Sequence, residues 1–242
     1  MIVQPFGFQN RRNVSAAPAP PAPNYVAGAS LIYDFGYAGS YPGSGTSVYD
    51  VSGNSGPTAT FVGSPTFNSG TKSGSLSVNS TNYLSYSGSF PTAYTVQAYY
   101  KLTSGTTPPY PAIGGQVNNN GMKLAIDTGW PLSSGVYQQY WYGAAGTSGG
   151  SAYNDADALT DIQNIFTFFS AQYNTSVAQN YYVNTTLVNT QAIAGDRTLF
   201  TPTSQPVTIG NEGAGELVAW LVYPSALSSG DITQNYNIFN AR

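Results

Sequence analysis

The sequence predicts an all-β protein: an antiparallel β-sandwich with an extended Pro-rich N-terminal arm and one short C-terminal helix. Three observations support this prediction. From residue 29 onward, short segments rich in β-branched and aromatic residues alternate with turns of Gly, Pro, Asn and Ser. The segment 17–23, Ala-Pro-Ala-Pro-Pro-Ala-Pro, cannot form a helix or a central strand. A full set of helix start signals occurs around Ser228, near the C-terminal end.

The N-terminal arm, residues 1–28, differs in composition from the rest of the chain. Its segment 17–23 is predicted to form polyproline II, a semi-rigid spacer roughly 20 Å long at about 3.1 Å per residue. Such a segment is either a solvent-exposed tail or an arm that docks on a neighbouring subunit, and we predict a docking arm. Its candidate contact residues are Phe6, Phe8, Arg11, Arg12, Pro18, Pro20, Pro21 and Pro23.

Residues 29–242 are predicted to form one sandwich domain, a length at which all-β chains commonly remain a single domain. Residues 94–101 alternate well, with Tyr94, Val96, Ala98 and Tyr100 predicted on one face of a strand. The intervening residues, among them Tyr99, are predicted on the other face. Further strands are predicted at 31–35, 76–78, 83–86, 122–126, 136–142, 165–173, 181–183 and 207–209.

The C-terminal segment predicts a buried strand followed by a capped helix. Residues 217–223 form a continuous apolar run, too short for a buried helix, so a strand covered on both faces fits best. After Pro224, Ser228 supplies an N-cap hydroxyl and Asp231 an acid three residues later. Leu227 and Ile232 occupy the positions of a hydrophobic staple around the predicted cap.

Composition excludes several classes of partner. Charged residues make up 7% of the chain, against about a quarter in ordinary domains. The net charge of −3 has the wrong sign for a phosphate-binding face, so we expect no nucleic acid partner. No apolar stretch is long enough to cross a bilayer, and residues 1–12 lack the order of a signal peptide. We therefore expect synthesis in a cytoplasm and no membrane insertion.

The residue inventory argues against catalysis. The chain contains no Cys and no His, which excludes thiolate nucleophiles and the usual imidazole base. Glu212 and Glu216 are its two glutamates. In an extended strand, residues four apart are separated by about 13 Å, which is too far for a retaining or an inverting glycosidase. A glycine-rich turn at Gly213–Gly215 would bring them closer, so the spacing places catalysis well below binding without excluding it. We predict no catalytic residue and no enzyme activity.

We also predict no metal site and no cofactor. Asp155, Asp157 and Asp161 offer oxygen ligands in a polar loop. Their spacing lacks the central glycine and the terminal bidentate glutamate of a complete calcium loop. A solvated turn is the more common role of such a cluster.

Several separated motifs resemble laminin-G-like, concanavalin A-like jelly-roll domains of the type found in bacteriophage virion proteins. Leu31-Ile-Tyr-Asp-Phe35, followed by Tyr41-Pro-Gly-Ser-Gly45 and Asp50-Val-Ser-Gly-Asn54, is similar to the entry of those domains. The segment 94–101 matches their central strand. Tyr182-Val-Asn-Thr185 is similar to their Tyr-Val-Asn-Gly turn, with threonine in place of the glycine. The resemblance covers most of residues 30–236 and implies the jelly-roll fold.

The resemblance also implies a function. The expected protein is a non-enzymatic virion structural protein, a capsid decoration protein whose arm docks on the major capsid protein and whose head is displayed outward. Its expected location is the capsid surface, and we leave a weak glycan contact and a homo-oligomer open. Two alternatives remain: a tail-fibre or receptor-binding adhesin that recognises host surface polysaccharide, and a free carbohydrate-binding protein.

The best candidates for glycan or interface contact are aromatic. Residues 136–142, Val-Tyr-Gln-Gln-Tyr-Trp-Tyr, form a predicted strand that places Tyr140 and Tyr142 on one face and Tyr137 and Trp141 on the other. One set is then buried and the other is exposed. Exposed Tyr or Trp beside amides can stack on sugar rings or anchor a protein interface.

Overall fold

A computed structural model describes residues 21–88, 93–103, 112–116, 122–127, 136–141, 152–154, 164–173, 178–192 and 205–242, and these residues form sixteen β-strands and one α-helix. The first eight strands are β1 (Leu31–Asp34), β2 (Ser47–Val48), β3 (Ala59–Val62), β4 (Thr66–Asn68), β5 (Ser75–Val78), β6 (Tyr83–Gly88), β7 (Tyr94–Leu102) and β8 (Ala112–Gln116). The remaining elements are β9 (Met122–Asp127), β10 (Val136–Trp141), β11 (Ala152–Asn154), β12 (Phe166–Tyr173), β13 (Ala178–Val183), β14 (Thr186–Ala192), β15 (Gln205–Ile209), β16 (Gly215–Tyr223) and α1 (Ser229–Asn240).

The strands form two antiparallel sheets, which confirms the predicted sandwich. Sheet A has the order β14-β13-β12-β7-β16-β5-β4, and β1 pairs with β16 beside β5. Sheet B has the order β11-β10-β9-β8-β15-β6-β3-β2. Every strand predicted from the sequence is present. Six further strands, β2, β3, β4, β8, β11 and β14, were not predicted because they are short, polar or rich in glycine.

The β7–β16 pair forms the centre of sheet A. From Gly215 to Tyr223, β16 pairs with β7, and on its other edge it pairs first with β5 and then with β1. Residues 217–223 are all buried, so the prediction of a strand covered on both faces is confirmed. In β7, Tyr94, Val96, Ala98 and Tyr100 lie in the core between the sheets, as the alternation predicts. The opposite face of β7 is also buried, including Tyr99.

Trp220 lies at the centre of the core between the two sheets. Its side chain is 0% exposed and lies against Gly114 of β8, on the facing sheet. A Cβ at Gly114 would lie 2.8 Å from Cη2 of Trp220 and 3.1 Å from the backbone oxygen of Thr208. The indole ring therefore requires a residue without a side chain at this position of sheet B.

A second apolar cluster covers the outer face of sheet A. Helix α1 supplies Ile232 and Phe239, and the sheet supplies Tyr99, Phe168 and Leu221. The Phe239 ring stacks on the rings of Tyr99 and Phe168 with centroid distances of 6.0 Å. Because α1 closes this face, the central strands of sheet A carry apolar residues on both sides.

The predicted start of the helix is confirmed. Ser228 is the N-cap, its hydroxyl accepts a hydrogen bond from the backbone N–H of Asp231, and the Asp231 carboxylate accepts from the backbone N–H of Ser228. Leu227 and Ile232 belong to the same apolar cluster, as a hydrophobic staple requires. At the other end of the helix, the ammonium of Lys72 lies 3.4 Å from the backbone oxygen of Asn240, where a cation stabilises the helix dipole.

Polar side chains under α1 form a connected network. The Asn235 amide donates to Oε1 of Gln97 at 2.7 Å and to the Tyr223 hydroxyl at 2.9 Å. The Gln97 amide in turn donates to the Ser170 hydroxyl at 3.3 Å. All four residues are buried, and each makes at least one of these hydrogen bonds. The network sets the position of the helix on the sheet, since a shifted helix would leave these buried groups unpaired.

Two of the motifs that carry the family resemblance form turns. The Asp50 carboxylate accepts hydrogen bonds from the backbone N–H groups of Ile32, Ser52 and Gly56 at 2.8 to 2.9 Å. In the 182–185 turn, Asn184 adopts a φ of 54°, and its side chain accepts from the N–H of Phe168. Asparagine tolerates this left-handed conformation, so the turn forms without the glycine.

Among the described residues, no helix is long and apolar enough to span a membrane.

Buried tyrosines predict a loss of stability in alkali. Burial raises the pKa of Tyr99 and of Tyr223 to about 12, and it raises the pKa of Tyr100 further. In the unfolded chain these phenols ionise near pH 10. The unfolded state therefore releases its phenol protons at a lower pH than the folded state does. The stability contributed by these buried neutral phenols is fully present below about pH 10 and is lost as the pH rises towards 12. Urea unfolding at pH 8 and pH 11 should show a lower free energy of unfolding at pH 11; equal values would contradict the expectation.

The contact between Trp220 and Gly114 predicts the effect of a single methyl group. Gly114→Ala should lower the free energy of unfolding by about 2 kcal/mol, because the indole and the backbone of β15 must move to accommodate it. Gly70→Ala is the matched control, since a Cβ at Gly70 meets nothing within 4 Å. Thermal unfolding measures both variants. A Gly114→Ala variant as stable as Gly70→Ala would show that the core has room for the added methyl group.

Candidate functional site

The two outer faces of the sandwich differ. Helix α1 and residues 25–29 cover the outer face of sheet A. On sheet B, Val48, Ala59, Leu84 and Val207 are 0% exposed and point into the core. The residues that alternate with them form the outer face of sheet B, which we take as the candidate functional site.

Four hydroxyl residues lie in one line across this face. Ser47 of β2 pairs with Thr60 of β3, Thr60 with Ser85 of β6, and Ser85 with Thr208 of β15. We call these four residues the hydroxyl row. Adjacent strands lie about 4.8 Å apart, so the row spans roughly 14 Å. Thr60 is exposed, Ser47 and Ser85 are half-buried, and Thr208 is 7% exposed.

Uncharged residues flank the row. Val62 pairs with Tyr83 on one side, and Pro206 pairs with Ser87 on the other. Val62 is 36% exposed, Ser87 and Pro206 are exposed, and Tyr83 is half-buried. Each hydroxyl both donates and accepts hydrogen bonds, and the residues that β2, β3, β6 and β15 present on this face are uncharged. The face can therefore recognise polar, uncharged groups.

The predicted aromatic contact residues lie on the same sheet. Thr208 pairs with Gly115, Gly115 with Lys123, and Lys123 with Tyr140, so the backbone of Tyr140 continues the line of the hydroxyl row. Tyr137 pairs with Ile126 and Asn154, and Trp141 pairs with Met122. Tyr142 lies outside the described residues. Contact by these aromatic residues stays a prediction. The hydroxyl row itself was missed, because Ser and Thr carry no signal until strand register aligns them.

The arm begins on the opposite side of the sandwich. Pro21 is exposed and Pro23 is half-buried, while Phe6, Phe8, Arg11, Arg12, Pro18 and Pro20 lie outside the described residues. We call residues 21–29 the arm root. The backbone N–H of Val26 donates to the Asn235 side chain at 3.1 Å, and the Gln234 amide donates to the backbone oxygen of Asn24 at 2.9 Å. The arm root therefore lies alongside α1.

An ion pair ties the arm root, the sheet and the end of the helix together. Asp34 is 0% exposed and accepts two hydrogen bonds from Arg242, at 2.6 and 2.7 Å. The Tyr25 hydroxyl donates to the same carboxylate at 2.5 Å. Burial and the nearby Asp34 raise the pKa of Tyr25 far above its usual value. Burial lowers the pKa of Arg242, but its hydrogen bonds to Asp34 outweigh this and raise it overall. We call Tyr25, Asp34 and Arg242 the Asp34 clasp.

The two glutamates occupy different environments. Glu212 lies in the turn before β16, the alternative that the sequence left open, so the separation of about 13 Å expected for an extended strand does not apply to the pair. Glu216 forms an ion pair with Lys101 and accepts a hydrogen bond from the Ser75 hydroxyl at 2.9 Å. The Lys101 ammonium also lies 4.9 Å from the centroid of the Phe166 ring. These contacts hold Glu216 as a structural ion pair on the outer face of sheet A.

In the described part of the chain, no group of three or more Asp or Glu side chains is placed to hold a metal ion. The acidic loop with Asp155, Asp157 and Asp161 lies outside the described residues.

Solved structures share this fold at low sequence identity. The binding domain of Paraclostridial Mosquitocidal Protein 1 matches with a TM-score of 0.66 and 12% identity, over 87% of this chain and 52% of that one. Domain 4 of AbnA, a GH43 extracellular arabinanase from Geobacillus stearothermophilus solved with arabinotriose, matches with a TM-score of 0.62 and 15% identity, over 86% and 97%. A botulinum neurotoxin type C structure, whose cell entry depends on interaction with two ganglioside molecules, matches with a TM-score of 0.63 and 14% identity, over 84% and 52%.

These similarities confirm the β-sandwich fold. This chain spans about half the length of the mosquitocidal and botulinum chains and nearly all of the arabinanase domain. No protein-family model and no curated protein sequence matches it.

Removing Arg242 tests the Asp34 clasp. Arg242→Ala removes the guanidinium that pairs with the buried Asp34 carboxylate. The free energy of unfolding should therefore fall by about 2 to 3 kcal/mol, because a buried charge loses its counter-ion. Asn240→Ala, at an exposed position of the same helix, should have little effect. Urea unfolding compares the two variants, and limited proteolysis should show faster cleavage within the arm root of Arg242→Ala. Equal stability of both variants would show that the clasp contributes nothing.

Proposed function

We propose that this protein is a non-enzymatic structural protein of a bacteriophage virion, a capsid decoration protein whose arm docks on the major capsid protein. The observation that carries this proposal is the sidedness of the head. The arm root lies with α1 on the outer face of sheet A, while the hydroxyl row lies on the outer face of sheet B. A head held by its arm then presents sheet B outward. The proposed location is the capsid surface, after synthesis in the host cytoplasm.

The family resemblance of the sequence motifs supports the virion assignment. The motif at 31–35 forms β1 and pairs with the central strand β16. Tyr41, from the Tyr-Pro-Gly-Ser-Gly motif, packs against Phe35 and Phe67 with centroid distances of 5.8 and 5.1 Å. Asp50, from the second motif, organises its own turn and accepts from β1. These residues have structural roles. Their pattern therefore supports the resemblance to the domains of virion proteins and says nothing about which ligand the protein binds.

The contacts of Glu216 support a non-enzymatic role. Its carboxylate is engaged by Lys101 and Ser75 on the α1-covered side of the sandwich. A glycosidase needs one carboxylic acid free to protonate the leaving group and a second carboxylate across the substrate. Within the described residues, the surface favoured for contact is the hydroxyl row, which contains no acid or base of that kind.

The second candidate is a tail-fibre or receptor-binding adhesin that recognises host surface polysaccharide. It is favoured by the fold neighbours, whose names describe a receptor-type binding domain, a domain bound to arabinotriose and a toxin that interacts with gangliosides. A free carbohydrate-binding protein is the third candidate. Both alternatives require glycan binding as the main activity, whereas decoration requires docking of the arm.

Deleting the arm separates these candidates. Tyr25 and Val26 pack against the head, so the deletion ends at residue 20 and not at residue 28, the predicted end of the arm. The boundary at residue 28 stays a prediction. The variant lacking residues 1–20 should fold with unchanged thermal stability and should be lost from purified particles. The matched control replaces residues 1–20 with a Gly/Ser linker of equal length, which keeps the length and removes Phe6, Phe8 and the Arg pair.

The outcome is read by quantifying the protein in purified particles. Loss of both variants from the capsid supports docking by the arm sequence. Normal incorporation of the deletion variant would overturn the decoration proposal and favour a role in which the head itself carries the attachment.

A further inference from the structure

We propose that the hydroxyl row on sheet B binds a neutral glycan that lies across the strands. The inference deepens the proposed function by naming the class of ligand that the displayed face recognises. It rests on that function in one respect, since the row faces away from the shell only when the head is held by its arm. The glycan chemistry is argued from the face itself.

The row is a linear array of hydrogen-bonding groups. Ser47, Thr60, Ser85 and Thr208 occupy consecutive strands, and each pairs directly with the next. Their spacing of about 4.8 Å is set by the backbone ladder, so the positions of the array are fixed before a ligand binds. An extended polymer that itself carries hydroxyls at regular intervals can pair with such an array at several points at once.

The charge distribution of the head favours a neutral ligand. The described charged side chains with assigned partners lie on the side of α1 or in loops: Asp34, Asp50, Lys72, Lys101, Glu216, Asp231 and Arg242. Lys123 of β9 lies two register positions beyond Thr208, whereas the outer face of β2, β3, β6 and β15 has no charged residue. A strongly charged glycan or a nucleic acid would find no counter-charge there. A neutral glycan needs no counter-charge to bind this face.

The chemistry of the face disfavours a protein partner. Protein interfaces are anchored by buried aromatic and arginine side chains at their centre. Here the centre is Thr60 and Ser85, while Val62 and Tyr83 lie at one flank. The Tyr83 ring is half-buried beside Val62, two residues along the strand from the row, which places one aromatic side chain at the border of a hydroxyl surface. This arrangement suits a sugar chain better than an apolar protein surface.

The backbone continues the row toward the predicted aromatic strand. Gly115, which follows Thr208 in register, is buried, and Thr208 is only 7% exposed, so the accessible part of the row lies on β2, β3 and β6. Lys123 and Tyr140 occupy the next two register positions. The predicted contact at Tyr140 lies further along the same line of register and stays a prediction.

The experiment uses the full chain on an array of neutral and acidic polysaccharides, at low and at high salt. We expect binding to neutral glycans that salt does not weaken, because no ion pair is broken. The double variant Thr60→Val and Ser85→Ala removes two hydroxyls with little change in shape and should weaken binding roughly tenfold. The matched control is Thr186→Val, an exposed threonine at the start of β14 in sheet A, which should bind as the wild type does.

Folding and display are followed separately. Thermal unfolding should show the double variant and the control equally folded, and Thr60→Lys provides a second test because it places a long charged side chain in the row without touching the core. All row variants should enter particles normally, so failure of the glycan inference is distinguishable from failure of arm docking.

Three results would overturn the inference. The first is that the intact chain binds no neutral glycan on the array. The second is that the double variant and Thr60→Lys bind as tightly as the wild type. The third is that light scattering shows an oligomer which Thr60→Lys dissociates, which would make this face a contact between copies of the chain.

Discussion

Burial of the β7–β16 pair on both faces is the constraint on which the rest of the structure depends. Residues 217–223 of β16 carry apolar side chains on both faces of the strand, so packing against one other sheet cannot bury all of them. Sheet B covers one side, with Trp220 packed on Gly114. Helix α1 and the arm root must then cover the other. The position of the arm at one face of the head is therefore a consequence of how the central strand is buried.

The scarcity of charge is consistent with how polar groups are used in this fold. Beneath α1, Gln97, Ser170, Tyr223 and Asn235 are paired through amides and hydroxyls, which cost less to bury than ionised groups. The one fully buried carboxylate with an assigned cation, among the described residues, is Asp34, which is engaged by Arg242 and Tyr25. Among the described residues, this buried ion pair lies on the helix side, where it holds the arm root and the helix end in place.

This division gives the head two chemically different sides. The helix side carries the arm root, the clasp and the ion pair of Lys101 with Glu216. The opposite side carries an uncharged array of hydroxyls whose spacing is set by strand pairing. A display protein needs this separation, because attachment and recognition must take place on different surfaces. The fold neighbours share the β-sandwich, and a shared fold does not by itself assign a function.

Local patterns in the sequence determined the local structure. Alternation along residues 94–101, the apolar run at 217–223 and the Ser228 cap each depend on neighbours within a few residues, and all three were predicted correctly. The tertiary structure alone decided what covers the second face of sheet A, which carboxylate meets Arg242, and that Ser47, Thr60, Ser85 and Thr208 form a line. These features join residues far apart in the chain. Register and sheet order bring them together, and neither leaves a periodic signal in a single sequence.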